Sequence, residues 1–189
     1  MTTNRITDVP FTHLRKAIGD ETPFELRVRA PEWCQLTADA AAAATSLAVR
    51  PLPHALASGD KLIFGENTVV TLSGAAAAGV VALPVSATPG PLSAGDVGQK
   101  LRDLTGFTLV FEALSNRGDA TPLITISGDD VTIATQTGIE RGKVQFTCLA
   151  AKTASLSPST LYWSIWRRNV GSARPEAEGD LEIYEAGGL

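Results

Sequence analysis

The chain has 189 residues, of which 44% are hydrophobic and 19% are charged. Such a composition can bury a core and excludes an intrinsically disordered chain, and the length suits one domain or two small ones. The formal net charge of −4 argues against a nucleic-acid partner, because phosphate binding depends on clustered Lys and Arg. No apolar run approaches the ~20 residues that span a bilayer, so we expect no membrane partner.

Residues 1–20 carry a short helical pattern. Phe11, Leu14, Ala17 and Ile18 recur at helical spacing, and Gly19 ends the pattern. A helix this short is marginal alone, so it must dock either on its own domain or on a neighbouring subunit. We therefore interpret residues 1–20 as an N-terminal arm, with Phe11, Leu14 and Ile18 as candidate interface residues.

Residues 21–31 predict a strand. Phe24, Leu26 and Val28 alternate with Glu25, Arg27 and Arg29, which is typical of a half-buried strand with one solvated face. We interpret this segment as the first strand of a β-sandwich.

Residues 32–101 contain an internal repeat with a period of 36. The segments that begin at Leu36 and Leu72 align without gaps, and 10 of the 25 aligned positions from 36 to 60 are identical. A fixed period indicates one supersecondary unit used twice. Each copy predicts a strand, an Ala/Gly loop and a second strand (residues 46–49 and 82–85), and we expect the alanine run at 40–44 to be a loop or a single turn. The repeat therefore predicts a small β module inserted into the sandwich.

Residues 102–189 predict the remainder of the sandwich. Short alternating segments are divided by turn signals such as Gly118-Asp119 and Gly142. Residues 160–168 predict the most aromatic strand, residues 171–179 a polar loop, and residues 180–186 the last strand. The pattern favours an all-β fold, an antiparallel β-sandwich of Ig-like or jelly-roll-like type with the inserted module.

The chain lacks a recognisable catalytic, metal-binding or cofactor-binding motif. Its two histidines and two cysteines, Cys34 and Cys148, have no metal-type spacing, and we expect the thiols to be reduced and buried rather than paired. No nucleophile elbow, phosphate loop or dinucleotide fingerprint is present, so we expect no enzyme and no cofactor. Tyr162 and Trp166 share the face of their strand opposite Leu161, Trp163 and Ile165. They are an interface candidate or a platform for a glycan.

The segment from Asp103 to Glu185 resembles the N-terminal β-sandwich domain of phage baseplate upper proteins. The resemblance rests on a series of short motifs in a fixed order. They are Asp103-Leu104-Thr105-Gly106-Phe107, the turn Gly118-Asp119-Ala120-Thr121-Pro122-Leu123, Gly142-Lys143-Val144, Leu161-Tyr162-Trp163 before Arg167-Arg168, and Glu178-Gly179-Asp180-Leu181. Members of that family open with a strand that runs directly into the Asp-Leu-Thr-Gly turn, whereas here the repeat module lies between the two.

The resemblance implies a virion structural protein that is assembled in the host cytoplasm. It would anchor or connect tail fibres at the baseplate, with other virion subunits as partners, and would form a homo-oligomer, for which we expect a trimer. It implies no catalytic residues. Two alternatives stay open at this point: a capsid decoration or head-fibre protein, and a carbohydrate-binding adhesin module.

Overall fold

The computed structural model of the protein describes residues 11–21, 23–65, 67–169 and 172–185, without the side chains of residues 11–13, 169 and 172–174. The chain divides into two compact units. Among the described residues, the sandwich unit contains those from 11 to 28, Leu104–Gln136 and those from 142 to 185. The repeat unit contains Arg29–Asp103 and Thr137–Arg141.

The described residues form strands, one short α-helix and two single-turn 3₁₀ helices, Gly128–Asp130 and Gly138–Glu140. In chain order the strands and the α-helix are β1 (Phe11–Ala17), β2 (Phe24–Arg27), β3 (Arg29–Gln35), β4 (Ser46–Ala48), β5 (Lys61–Phe64), β6 (Thr68–Thr71), β7 (Ala82–Pro84), β8 (Val97–Leu101), β9 (Leu109–Leu114), β10 (Ile124–Ile126), β11 (Val131–Ile133), β12 (Lys143–Phe146), α1 (Ala150–Thr153), β13 (Ser159–Asn169) and β14 (Ser172–Tyr184). The predicted all-β class is confirmed, with several antiparallel sheets in a sandwich-like arrangement. Among the described residues, no helix is long and apolar enough to span a bilayer.

The sandwich unit is built from two sheets around one core. The five-stranded sheet has the order β1-β14-β13-β9-β10 and the three-stranded sheet has the order β11-β12-β2. An aromatic cluster joins them, because Phe111 of the first sheet lies 5.6 Å from the Trp163 ring and 5.5 Å from the ring of Phe146 in the second. Trp163, Phe111 and Phe146 are all fully buried. Burying aromatic rings of this size is the largest apolar contribution available to a small core.

The helix predicted within residues 1–20 is wrong. Residues 11–17 form β1, which pairs in parallel with β14 from Phe11↔Glu178 to Ala17↔Tyr184. A two-turn helix gains little by itself, whereas the edge of β14 offers a backbone partner for seven residues. Gly19, where we predicted the end of the helix, lies in a turn after β1 and has a φ of +77°.

The polar loop predicted at 171–179 is also wrong. The described part of this segment, residues 172–179, belongs to β14 and forms a long hairpin with β13 from Asn169↔Ser172 to Ser159↔Ile183. Its polar residues find partners within the sheet, as in the 3.3 Å ion pair between Arg167 and Glu176. Polarity alone therefore does not distinguish a loop from a strand whose charged side chains are paired.

The repeat unit contains a four-stranded sheet, β3-β8-β5-β6, and a two-stranded sheet, β4-β7. The short strands β4 and β7 lie at equivalent positions of the two sequence repeats and pair with each other, with Leu47 opposite Leu83. Leu47 and Leu83 are separated by one repeat length of 36 residues. This pairing therefore places an approximate twofold axis between the two copies.

Backbone hydrogen bonds outside β4 and β7 follow the same symmetry. The bridge Ala40↔Leu92 is matched by Leu56↔Ala76, in which each residue is replaced by its counterpart 36 positions away. The turn after each copy also repeats, because Asp60 Oδ2 accepts from Ala57 N and Asp96 Oδ2 accepts from Ser93 N, both at 2.8 Å. The two copies thus complete each other's pairing and share one apolar core.

The predicted domain limits differ from the observed units in three places, one of which is the end of the inserted module, predicted at residue 101 and observed at Asp103. The strand predicted at 21–31 is divided, because β2 belongs to the sandwich unit while β3 begins the repeat unit at Arg29. Residues 137–141, which we assigned to the sandwich, cluster with the repeat unit. The alanine run at 40–44 is a turn region, as expected.

Both cysteines are free and buried. Cys148 lies in the core of the sandwich unit and Cys34 in the core of the repeat unit. Burial raises the pKa of Cys34 to about 11, although a backbone hydrogen bond from Gly98 opposes the shift. Burial also raises the pKa of Cys148, while the charge of Lys16 opposes that shift. Both thiols are therefore protonated and unreactive near neutral pH.

The repeat offers a matched pair of substitutions at equivalent positions. Ala43 has φ of +63° and its counterpart Gly79 has φ of +84°, in a region that favours glycine. We expect Ala43→Gly to raise the free energy of unfolding by about 0.5–1 kcal/mol and Gly79→Ala to lower it by about 1 kcal/mol. No atom lies within 4 Å of a Cβ added at Gly79, so the second change tests backbone strain alone. Urea unfolding measures both, and equal effects of the same sign would contradict the expectation.

The sandwich unit should fold without the repeat unit. All of its core residues lie outside Arg29–Asp103, so we expect a chain in which a short Gly-Ser linker joins Val28 to Leu104 to unfold cooperatively. Near-ultraviolet circular dichroism follows the buried Trp163 during thermal unfolding. As a control, deleting residues 36–71 removes one repeat and should unfold only the repeat unit. Loss of the cooperative transition in the first variant would mean that the two units depend on each other.

Candidate binding cleft

The central strand β13 presents opposite chemistry on its two faces. Leu161, Trp163 and Ile165 are buried in the core, as their alternation predicts. Tyr162, Ser164, Trp166 and Arg168 occupy the other face. In the neighbouring strands, Tyr162 lies beside Leu114 and Ser164 lies beside Glu112 and Glu178. The outer face of the sheet thus brings aromatic and charged side chains together.

These side chains line a cleft with a volume of about 360 Å³. Three strands and the turn after β9 contribute to it. The lining residues are Glu112, Leu114, Arg117, Gly118, Asp119, Ala120, Pro122, Tyr162, Ser164, Trp166, Arg168, Pro175 and Glu178. The volume lies within the range of small-molecule sites, about 300–1,000 Å³.

Glu178 organises one side of the cleft. Its carboxylate accepts a short hydrogen bond from the Tyr162 hydroxyl and forms a 3.2 Å ion pair with Arg117. The Arg117 guanidinium also lies over the Tyr162 ring, with Cζ 5.5 Å from the ring centroid. The side chain of Glu178 is only 12% exposed. Three groups therefore fix one another in a single arrangement at the floor of the cleft.

Trp166 organises the other side. Its indole Nε1 donates a 2.7 Å hydrogen bond to Ser164 Oγ, and the Arg168 guanidinium lies 5.3 Å from the ring centroid. Arg168 in turn donates a 3.0 Å hydrogen bond to Glu112. A second aromatic ring is thus oriented by a polar atom and by a cation that is itself paired with a carboxylate.

A β-bulge and a proline give this part of the sheet its shape. The register between β13 and β14 shifts between Ile165 and Trp166, and Pro175 stands opposite Trp166. Bulges change the direction of a strand and re-aim its side chains. Pro175 lacks a backbone N–H, and the described pairing of β1 with β14 begins three residues later, at Glu178.

The rim is a tight turn that positions Arg117. Asp119 Oδ2 accepts a 2.8 Å hydrogen bond from Asn116 N, and Asp119 N donates back to Asn116 O at 3.2 Å. Gly118 adopts φ of +95° at the tip. The sequence predicted this turn, and the structure adds that it carries a charged side chain over the cleft.

The charges of the cleft nearly cancel. Glu112, Asp119 and Glu178 face Arg117 and Arg168, which gives a formal charge of −1 for the lining. Burial raises the pKa of the Tyr162 phenol, the hydrogen bond to Glu178 and its negative charge raise it further, and Arg117 opposes the shift. The hydroxyl therefore remains a donor throughout the physiological pH range.

The structure brings two of the candidate interface residues together. Tyr162 and Trp166 both line the cleft. Leu14 and Ile18 are half-buried and pack against the core of the sandwich unit, which is one of the two docking modes expected for the arm. The side chain of Phe11 lies outside the described residues. Sequence reasoning missed Glu112, Arg117, Arg168 and Glu178 as a set, because their pairing depends on strand register.

No family model, curated protein or solved structure matches this chain. Among the described residues, no group of three or more His, Cys, Asp or Glu side chains is arranged to hold a metal ion. The geometry of the cleft is therefore the basis for any assignment of a ligand.

The Tyr162 hydroxyl should contribute measurably to stability. Tyr162→Phe removes a donor from a mostly buried carboxylate, and we expect the free energy of unfolding to fall by about 1–2 kcal/mol. The control is Tyr184→Phe, which changes an exposed ring with the Arg15 guanidinium over it. This change should shift the free energy of unfolding by less than about 0.5 kcal/mol. Urea unfolding at neutral pH measures both.

The raised pKa of Tyr162 gives this prediction a pH signature. A group whose pKa is higher in the folded state stabilises the fold fully below its unfolded pKa of about 10, and the contribution is lost as pH rises through the folded value. The stability gap between wild type and Tyr162→Phe should therefore narrow above pH ~10. A gap that is absent at neutral pH, or that widens in alkali, would contradict the role of this hydrogen bond.

Proposed function

We propose that this chain is a structural protein of a phage virion, a baseplate or tail component that anchors or connects tail fibres through protein–protein assembly. The observation that supports the proposal most is the placement of the motifs that resemble baseplate upper proteins. The Gly118–Leu123 motif joins β9 to β10, the motif at 142–144 opens β12, and the motifs at 161–163 and 178–181 lie in β13 and β14. Four motifs that are scattered in the sequence thus belong to strands and turns of one sandwich unit, whereas the Asp103–Phe107 motif precedes β9 and begins in the repeat unit.

The sandwich unit also offers surfaces suited to assembly. The strand β1 forms one edge of the five-stranded sheet and β10 forms the other. Edge strands are natural sites for the addition of a strand from a neighbouring subunit. The partners in this proposal are other virion subunits and further copies of the chain, which we expect to form a trimer.

Immunogold electron microscopy tests the proposal on purified particles of the phage that encodes the chain. An antibody raised against the isolated chain should label the end of the tail. The control is the same antibody after it has been absorbed with the purified protein, which should leave the particles unlabelled.

Each labelling pattern has a separate meaning. Label over the head would overturn the tail assignment in favour of capsid decoration, with the same sandwich fold. Particles without label, together with the absence of the chain from their peptide mass spectrum, would overturn the virion proposal as a whole.

A further inference from the structure

We propose that the cleft on the outer face of β13 binds an uncharged saccharide. The cleft holds about 360 Å³, which accommodates one or two sugar rings rather than a long polymer. This inference concerns a ligand of the isolated chain and does not depend on where the chain is assembled.

The aromatic rings supply the first part of the recognition. Trp166 and Tyr162 line the cleft from the same face of β13, four residues apart. Each ring is half-buried and has a guanidinium group over it. The face of an aromatic ring carries partial negative charge, and the C–H bonds on the face of a pyranose ring carry partial positive charge. A sugar ring without a charge of its own can therefore stack on the part of either ring that the guanidinium group leaves uncovered.

The paired carboxylates and guanidinium groups supply the second part. Glu178 and Glu112 have side-chain exposures of 12% and 18%, and each is fixed by an arginine. A carboxylate has about four acceptor sites and a guanidinium has five N–H donors, so each pair keeps capacity for hydroxyl groups. Hydroxyls on adjacent ring carbons both donate and accept, which matches alternating carboxylate and guanidinium groups.

The charge balance selects against ionic ligands. Both arginines of the lining are already paired with carboxylates, and the lining as a whole has a formal charge of −1. An anionic ligand would have to compete with Glu112 and Glu178 for the arginines, and a cation would be repelled by the two guanidinium groups that line the cleft. A neutral polyhydroxyl compound meets neither cost.

The position of the cleft argues against a peptide as its occupant. The cleft lies over β13 and parts of β9 and β14, and β13 pairs with β9 on one side and β14 on the other from Tyr162 to Arg167. The backbone groups of β13 are used in the ladder, so a peptide could not bind over this strand by strand addition. Recognition must come from side chains, and these are mounted on a sheet whose other face is the aromatic core, which keeps them in place before binding.

Saturation-transfer NMR with the full-length chain tests the inference directly. The probes are glucose, galactose, N-acetylglucosamine and their disaccharides, with glucosamine and glucuronic acid as the cationic and anionic counterparts of glucose. We expect saturation transfer to at least one neutral probe, followed by a titration that gives its affinity. The charged counterparts should bind more weakly than the neutral sugar that they resemble.

Two variants locate the site. Trp166→Ala removes the stacking face and should lower the affinity at least ~10-fold. The matched control is Trp33→Ala, which changes an exposed tryptophan of the repeat unit and should leave the affinity unchanged. Ala120→Trp fills the cleft from its exposed rim without altering the core, and should abolish binding even if Trp166→Ala fails to fold.

Several outcomes would overturn the inference. One is the absence of saturation transfer to every neutral probe at millimolar concentration. Another is binding that survives Ala120→Trp, which would place the ligand elsewhere on the chain. A charged counterpart that binds as tightly as its neutral sugar would contradict the assigned ligand class.

Discussion

The packing of Trp163 against Phe111 is the interaction on which the sandwich and its cleft both depend. The two rings stack 5.6 Å apart between the central strands β13 and β9, and both are fully buried. Because side chains alternate along a strand, fixing Trp163 in the core also fixes Tyr162 and Trp166 on the opposite face. A slip of one residue would place Trp166 in the core and expose Trp163, so the register of β13 is specified strongly. The packing of the core thus fixes the positions of the side chains on the outer face.

The repeat unit reaches stability by a different route. Its core is mostly aliphatic, with Phe64 as the one aromatic side chain among its described buried residues, and most of its strands are three to five residues long. Two copies of one β motif cover each other's apolar faces about an approximate twofold axis, with Leu47 and Leu83 at the centre. The symmetry is not complete, because Thr88 occupies the position equivalent to Leu52 and uses its hydroxyl to donate to Ala41 O and to accept from Ala44 N. One motif used twice can therefore diverge locally while its backbone pairing is kept.

Periodicity in the sequence predicted the features of the fold that depend on local residue patterns. The repeat, the alternation of β13 and the shared face of Tyr162 and Trp166 all follow from spacing, and the all-β class follows from them. Residues 11–17 were mistaken for a helix because Phe11, Leu14 and Ala17 recur every three residues, and pairing with β14, which is remote in the sequence, overrides this local pattern. The Arg117–Glu178 pair joins residues 61 positions apart, so no local signal reveals it. Strand register, which turns scattered charges into a cleft, is a property of the folded sheet.

Under the two proposals, the outer face of β13 is a recognition surface that assembly leaves open. The decisive measurement is a high-resolution cryo-electron microscopy map of the proposed virion, because neighbouring subunits are visible there. We expect density for this chain at the tail end, with contacts made through sheet edges such as β1 and with the cleft between Tyr162 and Trp166 facing solvent. Density from a neighbouring subunit that fills the cleft would contradict the claim, since the paired arginines and aromatic rings would then serve assembly alone.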